Sequence, residues 1–142
     1  MINTTNDTVR ILVVDDHELV RRGVVSLLTA KPNYEVVSEA SDGLTAVEQA
    51  RALQPDLVLM DMTMPLMNGL EATRMIRKVA PHAEVLVISQ YDSNSMVQEA
   101  FNAGARGYVL KSEAGKDLLT AIATVCEHKQ FISPRLTAKL SP

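Results

Sequence analysis

The sequence predicts an α/β fold in which helices cover both faces of a single parallel sheet. Short apolar runs recur five times along the chain, and segments with helical periodicity separate them. Because the connections are short, the crossovers should be right-handed and the strands parallel. The chain has 142 residues, of which 46% are hydrophobic, so it can bury one core without a disulfide or a structural metal.

The predicted strands are continuous apolar runs or close variants of them. Continuous rather than alternating hydrophobicity is typical of strands that are buried on both faces of a sheet. In chain order the predicted strands are Ile11–Val14, Tyr34–Val37, Leu57–Met60, Val85–Ile88 and Tyr108–Leu110.

A helix with one apolar side is predicted after each strand. Pro32, Pro55 and Pro81 stop three of these helices, and Asp42 and Asn68 can cap two of them. The predicted helices are His17–Lys31, Gly43–Leu53, Gly69–Val79, a short helix from Asn94 or Ser95 to about Gly104, and Glu113–His128.

Both ends of the chain are predicted to lie outside the core. Residues 1–8 are expected to form a flexible tail. Residues 129–142 contain Ser133-Pro134 and finish with Ser141-Pro142, so we expect a linker or tail there.

Composition excludes several classes of function. The net charge is -3, Trp is absent and aromatic residues make up only 4%, so the chain offers neither a basic surface nor a stacking platform for nucleic acid. Cys126 is the only cysteine, which excludes an internal disulfide and a Cys-rich metal site. No apolar run approaches the length of a membrane span, and we expect a soluble cytoplasmic protein.

Reactive side chains follow four of the five predicted strands. They are Asp15 and Asp16 after the first strand, Asp61 after the third, Ser89 after the fourth and Lys111 after the fifth. In a parallel sheet these positions share the carboxyl edge, where open α/β sheets bind ligands. Any one of these residues alone is more often a helix cap, a turn residue or a solvated side chain. Their joint occurrence at four strand ends favours a functional site.

The chemistry of this set indicates a cation and a phosphoryl group. Three carboxylates in one cleft repel one another, and a hard divalent cation relieves that repulsion. Oxygen ligands with little else favour Mg²⁺ over zinc. Together with the Lys111 ammonium, such a cation neutralises the cleft, which can then admit a phosphoryl group. A carboxylate can accept that group as a nucleophile and become an aspartyl phosphate.

Other polar residues have ordinary interpretations. His17, His82 and His128 show no ligand spacing and are predicted to be surface or cap residues, although His17 lies close enough to the acidic pair to tune it. Arg21 and Arg22 are predicted to lie on a solvated helix face.

A combination of segments at the strand ends is very specific. The segments are Val13–Asp16, Met60–Pro65 followed by Gly69, Val87–Ser89 and Ala103–Lys111. Together they resemble the receiver domain of bacterial two-component response regulators, over about residues 9–128. Gly104–Lys111 and Phe131–Leu136 are most similar to the NarL/FixJ (LuxR-type) branch, in which a helix-turn-helix DNA-binding domain follows the receiver.

The resemblance implies a doubly wound, flavodoxin-like (βα)5 three-layer sandwich with the parallel sheet order 2-1-3-4-5. Residues 9–128 would form the receiver domain, and residues 129–142 would lead to a helix-turn-helix domain absent from this chain. A freestanding receiver that controls a protein partner is the alternative.

The resemblance also implies roles for the site residues. Asp61 would be the phosphoacceptor. Asp16, Asp61 and the backbone carbonyl of Thr63 would bind Mg²⁺ directly, while Asp15 would act through a metal-bound water. Lys111 would pair with the phosphoryl group.

Further residues would carry the response and control water access. Ser89 would move to hydrogen-bond a phosphoryl oxygen, and Tyr108 would turn inward into the vacated space. Thr63 and Tyr91, each two residues beyond a site residue, should flank the path of an attacking water. We hypothesise that Tyr91 shields the acyl phosphate, and simple loop packing is the alternative.

The implied phosphoryl donor is a phosphohistidine on a sensor histidine kinase. The chain itself would bind neither nucleic acid nor a membrane. A phosphorylation-dependent homodimer is one alternative for its assembly, and a monomeric receiver is the other. The chain would turn over only its own phosphoryl group, so we do not expect an enzyme with a separate substrate.

Two other functions are disfavoured. A phosphatase with Asp61 as nucleophile, like the haloacid-dehalogenase enzymes, would need an acid where Thr63 stands. A degenerate receiver that ignores phosphate is disfavoured by the complete polar set at the strand ends.

Ser112 follows Lys111 where many receivers have proline after a cis bond, so we expect either a trans bond or a strained cis bond here.

Overall fold

A parallel sheet of six strands lies between two layers of helices in the computed structural model, which describes residues 8–64 and 66–136. The strands are β1 Val9–Val14, β2 Tyr34–Ala40, β3 Leu57–Asp61, β4 Glu84–Ser89, β5 Gly107–Leu110 and β6 Phe131–Ile132. The helices are α1 Glu18–Thr29, α2 Gly43–Leu53, α3 Gly69–Val79, α4 Asn94–Ala103 and α5 Ala114–Cys126. Strand and helix alternate along the chain, as predicted.

The strand order is β2-β1-β3-β4-β5-β6, and every neighbouring pair is parallel. The predicted order 2-1-3-4-5 is confirmed, with one more strand beyond β5. The chain steps from β1 to β2 on one side and then returns past β1 to β3 on the other. This reversal opens a crevice at the carboxyl ends of β1 and β3, at the edge where the predicted site residues lie.

Two apolar cores lie on opposite faces of the sheet. One face packs against α2, α3 and α4, and the other packs against α1 and α5. The strands β3 and β4 are buried along their whole length, which accounts for their continuous apolar sequences. At the sheet edge, β2 is largely half-buried and continues past the predicted end at Val37 to Ala40. An edge strand tolerates polar residues such as Ser38 and Glu39. Because these two residues interrupt the apolar pattern, the sequence predicted the end of β2 too early.

The predicted caps of α2 and α3 are present. Asp42 and Asn68 each accept a hydrogen bond from a backbone N–H in the first helical turn, at 2.7 Å and 2.9 Å. Both helices therefore have the predicted bounds. The helix α4 begins at Asn94, one of the two predicted starts, and Ser93 caps it. The helices α1 and α5 are each slightly shorter than predicted.

Residues 131–136 correct the prediction of a linker or tail over 129–142. The strand β6 pairs with β5, and the Ser133 hydroxyl accepts a hydrogen bond from the N–H of Leu110 at 3.0 Å. Leu136 is completely buried. Apolar side chains that follow α5 have an open sheet edge to cover, which draws this segment onto the domain. Residues 137–142 and residues 1–7 of the two predicted tails lie outside the described residues.

The connection between β5 and α5 is a turn of 3-10 helix over Lys111–Glu113. The peptide bond between Lys111 and Ser112 is trans, which selects one of the two predicted alternatives. Serine at this position does not favour a cis bond as proline does.

The burial of Leu136 yields a stability test. Replacing a completely buried leucine by alanine removes apolar contacts and leaves a cavity, so Leu136→Ala should lower the free energy of unfolding by roughly 2–4 kcal/mol. Urea denaturation followed by circular dichroism measures this difference. The neighbouring Arg135 has a side chain that is 59% exposed, and Arg135→Ala is the matched control, with an expected effect below about 0.5 kcal/mol. Equal stability of Leu136→Ala and the parent would show that the segment is a tail after all.

Candidate functional site

The carboxyl edge of the sheet forms a cavity of about 310 Å³. Its walls are Asp16, His17, Asp61, Met62, Thr63, Gln90 and Lys111. Asp61 is the last residue of β3, and Lys111 directly follows β5. Parallel strands end at the same edge, so residues far apart in the sequence meet here, as predicted.

Lys111 joins two of the acidic residues. Its Nζ lies 3.2 Å from Oδ1 of Asp61 and 3.7 Å from Oδ2 of Asp15. The side chains of these two acids are only 3% and 9% exposed. Because little water screens charges at such depth, the ammonium offsets part of the repulsion between the carboxylates.

The surroundings of Asp61 disfavour its charged form. Burial, followed by the negative charge of Asp15, raises the pKa of Asp61 from 3.8 to about 6, even though Lys111 acts in the opposite direction. Its Oδ2 atom is buried and has no hydrogen-bond partner among the described residues. A buried carboxylate oxygen without a partner is destabilising until a cation or a proton binds it.

Asp15 is held by the loop that begins α1. Its Oδ1 accepts a hydrogen bond from the N–H of His17 at 2.8 Å, and its carbonyl oxygen accepts one from the guanidinium of Arg21 at 2.7 Å. Arg21 also pairs with Glu39 at 2.9 Å, and its side chain is only 16% exposed. The prediction that Arg21 lies on a solvated helix face is therefore wrong, since Arg21 holds the acidic loop against β2.

Gly69 allows α3 to begin directly beside Asp61. A Cβ atom on Gly69 would lie 2.3 Å from the carbonyl oxygen of Asp61 and 2.8 Å from Cα of Met62. The N–H of Gly69 donates to the carbonyl of Met62 at 2.9 Å. Any side chain at this position would push the loop away and displace the carboxylate.

Four ligand atoms converge at the mouth of the crevice. Asp15, Asp16, His17 and Asp61 each offer one atom, and these atoms lie within 4.8 Å of one another. Three of the four are carboxylate oxygens, which hard divalent cations prefer. The unpartnered Oδ2 of Asp61 supplies an oxygen that needs a positive partner. The donor set therefore fits Mg²⁺.

Ser89 reaches the site edge without lining the cavity. It is completely buried, and its hydroxyl accepts a hydrogen bond from the N–H of Tyr91 at 3.0 Å. Tyr108 already lies inward and is completely buried, and its hydroxyl donates to the carbonyl oxygen of Tyr91 at 2.7 Å. The backbone of Tyr91 thus links the two predicted switch residues. Burial raises the pKa of Tyr108.

Thr63 and Tyr91 lie side by side next to the site. The Thr63 hydroxyl lies 3.5 Å from the Tyr91 hydroxyl. Tyr91 is 39% exposed and borders a second cavity of about 320 Å³ with methionines around it. Its ring therefore lies at the surface between the solvent and the loop that carries Thr63.

Gln90 was missed in the sequence, whereas His17 was placed only close enough to the acidic pair to tune it. His17 is exposed, as predicted, but its Nδ1 lies between the acids, 3.2 Å from Asp15 and 3.0 Å from Asp16. Its direct adjacency to the acidic pair was the available signal. Gln90 lines the cavity because it follows the last residue of β4, a position shared with other site residues.

A sheet of order 2-1-3-4-5 with clustered acids and one lysine at its carboxyl edge defines a signal-receiver domain. The chain belongs to the response regulator receiver domain family, which matches residues 11–123, and within it to the NarL/LuxR branch. Response regulators are signalling proteins of two-component systems rather than classical enzymes.

Three relatives illustrate this similarity. The chain is 39% identical over 132 residues to the transcriptional regulatory protein DegU of Brevibacillus brevis, covering 93% of this chain and 56% of DegU. It is 37% identical over 133 residues to the response regulator protein VraR of Staphylococcus aureus, covering 94% of this chain and 64% of VraR. A LuxR-family two-component response regulator from Aurantimonas sp. SI85-9A1 superposes with a TM-score of 0.89 at 38% identity, covering 94% and 95% of the two chains. The chain thus spans less than two thirds of the length of DegU and of VraR.

Within the described ranges, no helix is both long and apolar enough to cross a membrane.

The raised pKa of Asp61 predicts a stabilising substitution. The pKa of Asp61 is about 6 in the folded protein, against 3.8 for an ordinary aspartate, so between these pH values the folded protein binds more protons than the unfolded chain. The free energy of unfolding therefore falls as the pH rises from about 4 to about 6. Asp61→Asn removes this charge and should raise the free energy of unfolding by on the order of 2 kcal/mol near neutral pH. The gain should shrink as the pH falls towards 4. Urea denaturation of both proteins without divalent cations, at several pH values, measures the difference, and a variant that is less stable at neutral pH would contradict the electrostatic account.

Proposed function

We propose that this domain is a phosphorylation-dependent switch in which Asp61 accepts a phosphoryl group from a sensor histidine kinase in the cytoplasm. The observation that carries the proposal is the buried Asp61 carboxylate in a cavity that also presents Lys111 and a second acidic residue, Asp16. A nucleophile, a cation-binding acid and a fixed ammonium are the groups that transfer to a carboxylate requires. The chain would turn over only its own phosphoryl group.

The transfer is a displacement at phosphorus. A carboxylate oxygen of Asp61 forms the new P–O bond while the P–N bond to the donor histidine breaks. The departing imidazole keeps the electron pair and takes a proton from solvent. Lys111, 3.2 Å from Asp61, favours the ionised carboxylate and can pair with a phosphoryl oxygen during the step.

Mg²⁺ is the proposed cation of the site. Asp16, Asp61 and the backbone carbonyl of Thr63 would hold it directly, and Asp15 would act through a water molecule. When bound, the ion neutralises charge on the carboxylates and on the phosphoryl oxygens. The unpartnered Oδ2 of Asp61 and the position of Asp16 and Thr63 in the cavity wall support this assignment.

The hydrogen bonds of Tyr91 offer a route from the site to the surface. If Ser89 moves to hydrogen-bond a phosphoryl oxygen, it gives up the 3.0 Å hydrogen bond from the N–H of Tyr91. The carbonyl of Tyr91 is bonded to Tyr108 on β5, so the loop before α4 and the β5 strand respond together. Such a two-state element would reshape the face formed by α4, β5 and α5.

The output is proposed to be control of transcription. The relative DegU is a transcriptional regulatory protein, and we propose that this receiver acts likewise through a helix-turn-helix DNA-binding domain outside this chain. The nucleic acid would be bound by that domain and not by the acidic receiver. A phosphorylation-dependent homodimer is part of the same proposal, and α1 exposes Leu19 and Val20 next to a shallow apolar groove shared with α5.

The acceptor can be tested with a small phosphoryl donor. Incubation with acetyl phosphate and Mg²⁺ should add one phosphoryl group to the parent chain and none to Asp61→Ala, because the nucleophile is lost. Intact-mass spectrometry measures the adduct. Asp56→Asn is the matched control, since Asp56 precedes β3 whereas Asp61 ends it, and this variant should be labelled like the parent. A single adduct of the same yield on Asp61→Ala would place the acceptor elsewhere.

The exposed ring of Tyr91 is proposed to protect the acyl phosphate from water. Tyr91→Ala should shorten the half-life of the phosphorylated protein several-fold, because the ring beside Thr63 is lost while the backbone bonds to Ser89 and Tyr108 remain. Tyr91→Phe keeps the ring and should behave like the parent. The decay of the adduct after removal of the donor measures the effect, and an unchanged half-life in Tyr91→Ala would refute the shield.

A further inference from the structure

His17 places a ring nitrogen among the carboxylates of the site. Its Nδ1 lies 3.0 Å from Oδ1 of Asp16 and 3.2 Å from Oδ1 of Asp15. The residue also lines the same cavity as Asp61. Its backbone N–H is bonded to Asp15 at 2.8 Å, which holds the residue beside the acids. The cavity is therefore lined by a nitrogen donor as well as oxygen donors.

The separations match those between atoms that share one metal ion. Metal–ligand bonds of about 2.0–2.1 Å place neighbouring ligand atoms roughly 2.9–3.4 Å apart in octahedral or tetrahedral geometry. The two distances from Nδ1 of His17 to Asp15 and Asp16 lie within this range. The ligand atom of Asp61 lies within 4.8 Å of the other three.

Lys111 leaves the remaining oxygens of its partners to a cation. It contacts Oδ1 of Asp61 and Oδ2 of Asp15, whereas Oδ1 of Asp15 faces His17. The Asp61 side chain is only 3% exposed, and its Oδ2 atom has no hydrogen-bond partner among the described residues. A buried acid with an unsatisfied oxygen is an independent indication that a positive ligand belongs in this cavity.

From this geometry we propose that His17 makes the cavity a mixed nitrogen and oxygen site, which binds first-row transition-metal ions such as Zn²⁺, Ni²⁺ and Co²⁺. Imidazole suits these ions, whereas Mg²⁺ prefers oxygen ligands. Mixed sites generally bind Co²⁺ and Ni²⁺ more tightly than Mn²⁺. The inference rests on the proposed function because it concerns the same cavity, and it adds the residue that decides which class of cation is held there.

Competition between the two classes of cation follows. Asp16 and Asp61 would serve either ion, so a transition metal held by His17 excludes Mg²⁺. A change in the ratio of the two metals would therefore change the fraction of receivers that carry Mg²⁺.

Metal titration of the whole 142-residue chain tests the proposal. Isothermal titration with NiCl₂ and with MgCl₂, at one pH and without a phosphoryl donor, should give tighter binding of Ni²⁺ to the parent. His17→Gln should weaken Ni²⁺ binding at least roughly tenfold, because a direct ligand is lost. The same variant should change Mg²⁺ affinity much less, since glutamine keeps an oxygen at this position.

Histidines outside the cavity provide the control. His82 and His128 border a different cavity, and His82→Gln should bind Ni²⁺ like the parent. In a protein labelled with ¹⁵N histidine, Zn²⁺ should shift a ring nitrogen of His17, and no such shift should occur at His82.

Three results would overturn the proposal: equal Ni²⁺ affinity in His17→Gln and the parent, an equal loss of Ni²⁺ and Mg²⁺ affinity in that variant, or a loss in His82→Gln. An equal loss would mean that His17 only positions the acids. Failure here is distinguishable from failure of the proposed function, because labelling of Asp61 by acetyl phosphate with Mg²⁺ is measured separately on the parent.

Discussion

Repulsion between the carboxylates at the carboxyl edge is the constraint on which the site depends. Asp15 and Asp61 are both buried, and within residues 8–64 and 66–136 Lys111 is the cation that forms an ion pair with each of them. The surrounding fold holds them together: β1 and β3 are neighbouring strands, Arg21 anchors the loop of Asp15, and the lack of a side chain at Gly69 lets α3 close on Asp61. The packing energy of the two cores thus maintains an arrangement of charges that would otherwise separate.

The sequence was sufficient where one local rule acted without competition. The strands β3 and β4 are buried on both faces, so their apolar runs could not be mistaken for half-exposed segments. Asp42 and Asn68 are capping residues with proline beyond the helix end, and the bounds of α2 and α3 followed. Asp61 and Lys111 were found because parallel strands place their ends at one edge. These predictions needed only periodicity and topology.

Features that depend on long-range contacts were not predictable in this way. Ser133 and Leu136 belong to the domain only because β5 leaves an edge to be covered, and the proline beside Ser133 favoured the interpretation of a linker. In the sequence, an arginine that is buried in an ion pair cannot be told from a solvated one. The burial of Arg21 follows from its ion pair with Glu39 of β2. The hydroxyl of Ser89 could have faced the cavity, but the backbone of Tyr91 determines its direction. Side-chain orientation of this kind has no period in the sequence.

The contact of Ser133 with β5 has a mechanical consequence. Its hydroxyl is bonded to the amide of Leu110, the residue immediately before Lys111, so the segment after α5 is attached one residue away from the ammonium. A displacement of β5 by even a fraction of an ångström would carry Ser133 and the buried Leu136 with it. The part of the chain that the structure describes therefore ends on a segment that is attached to β5 beside the site.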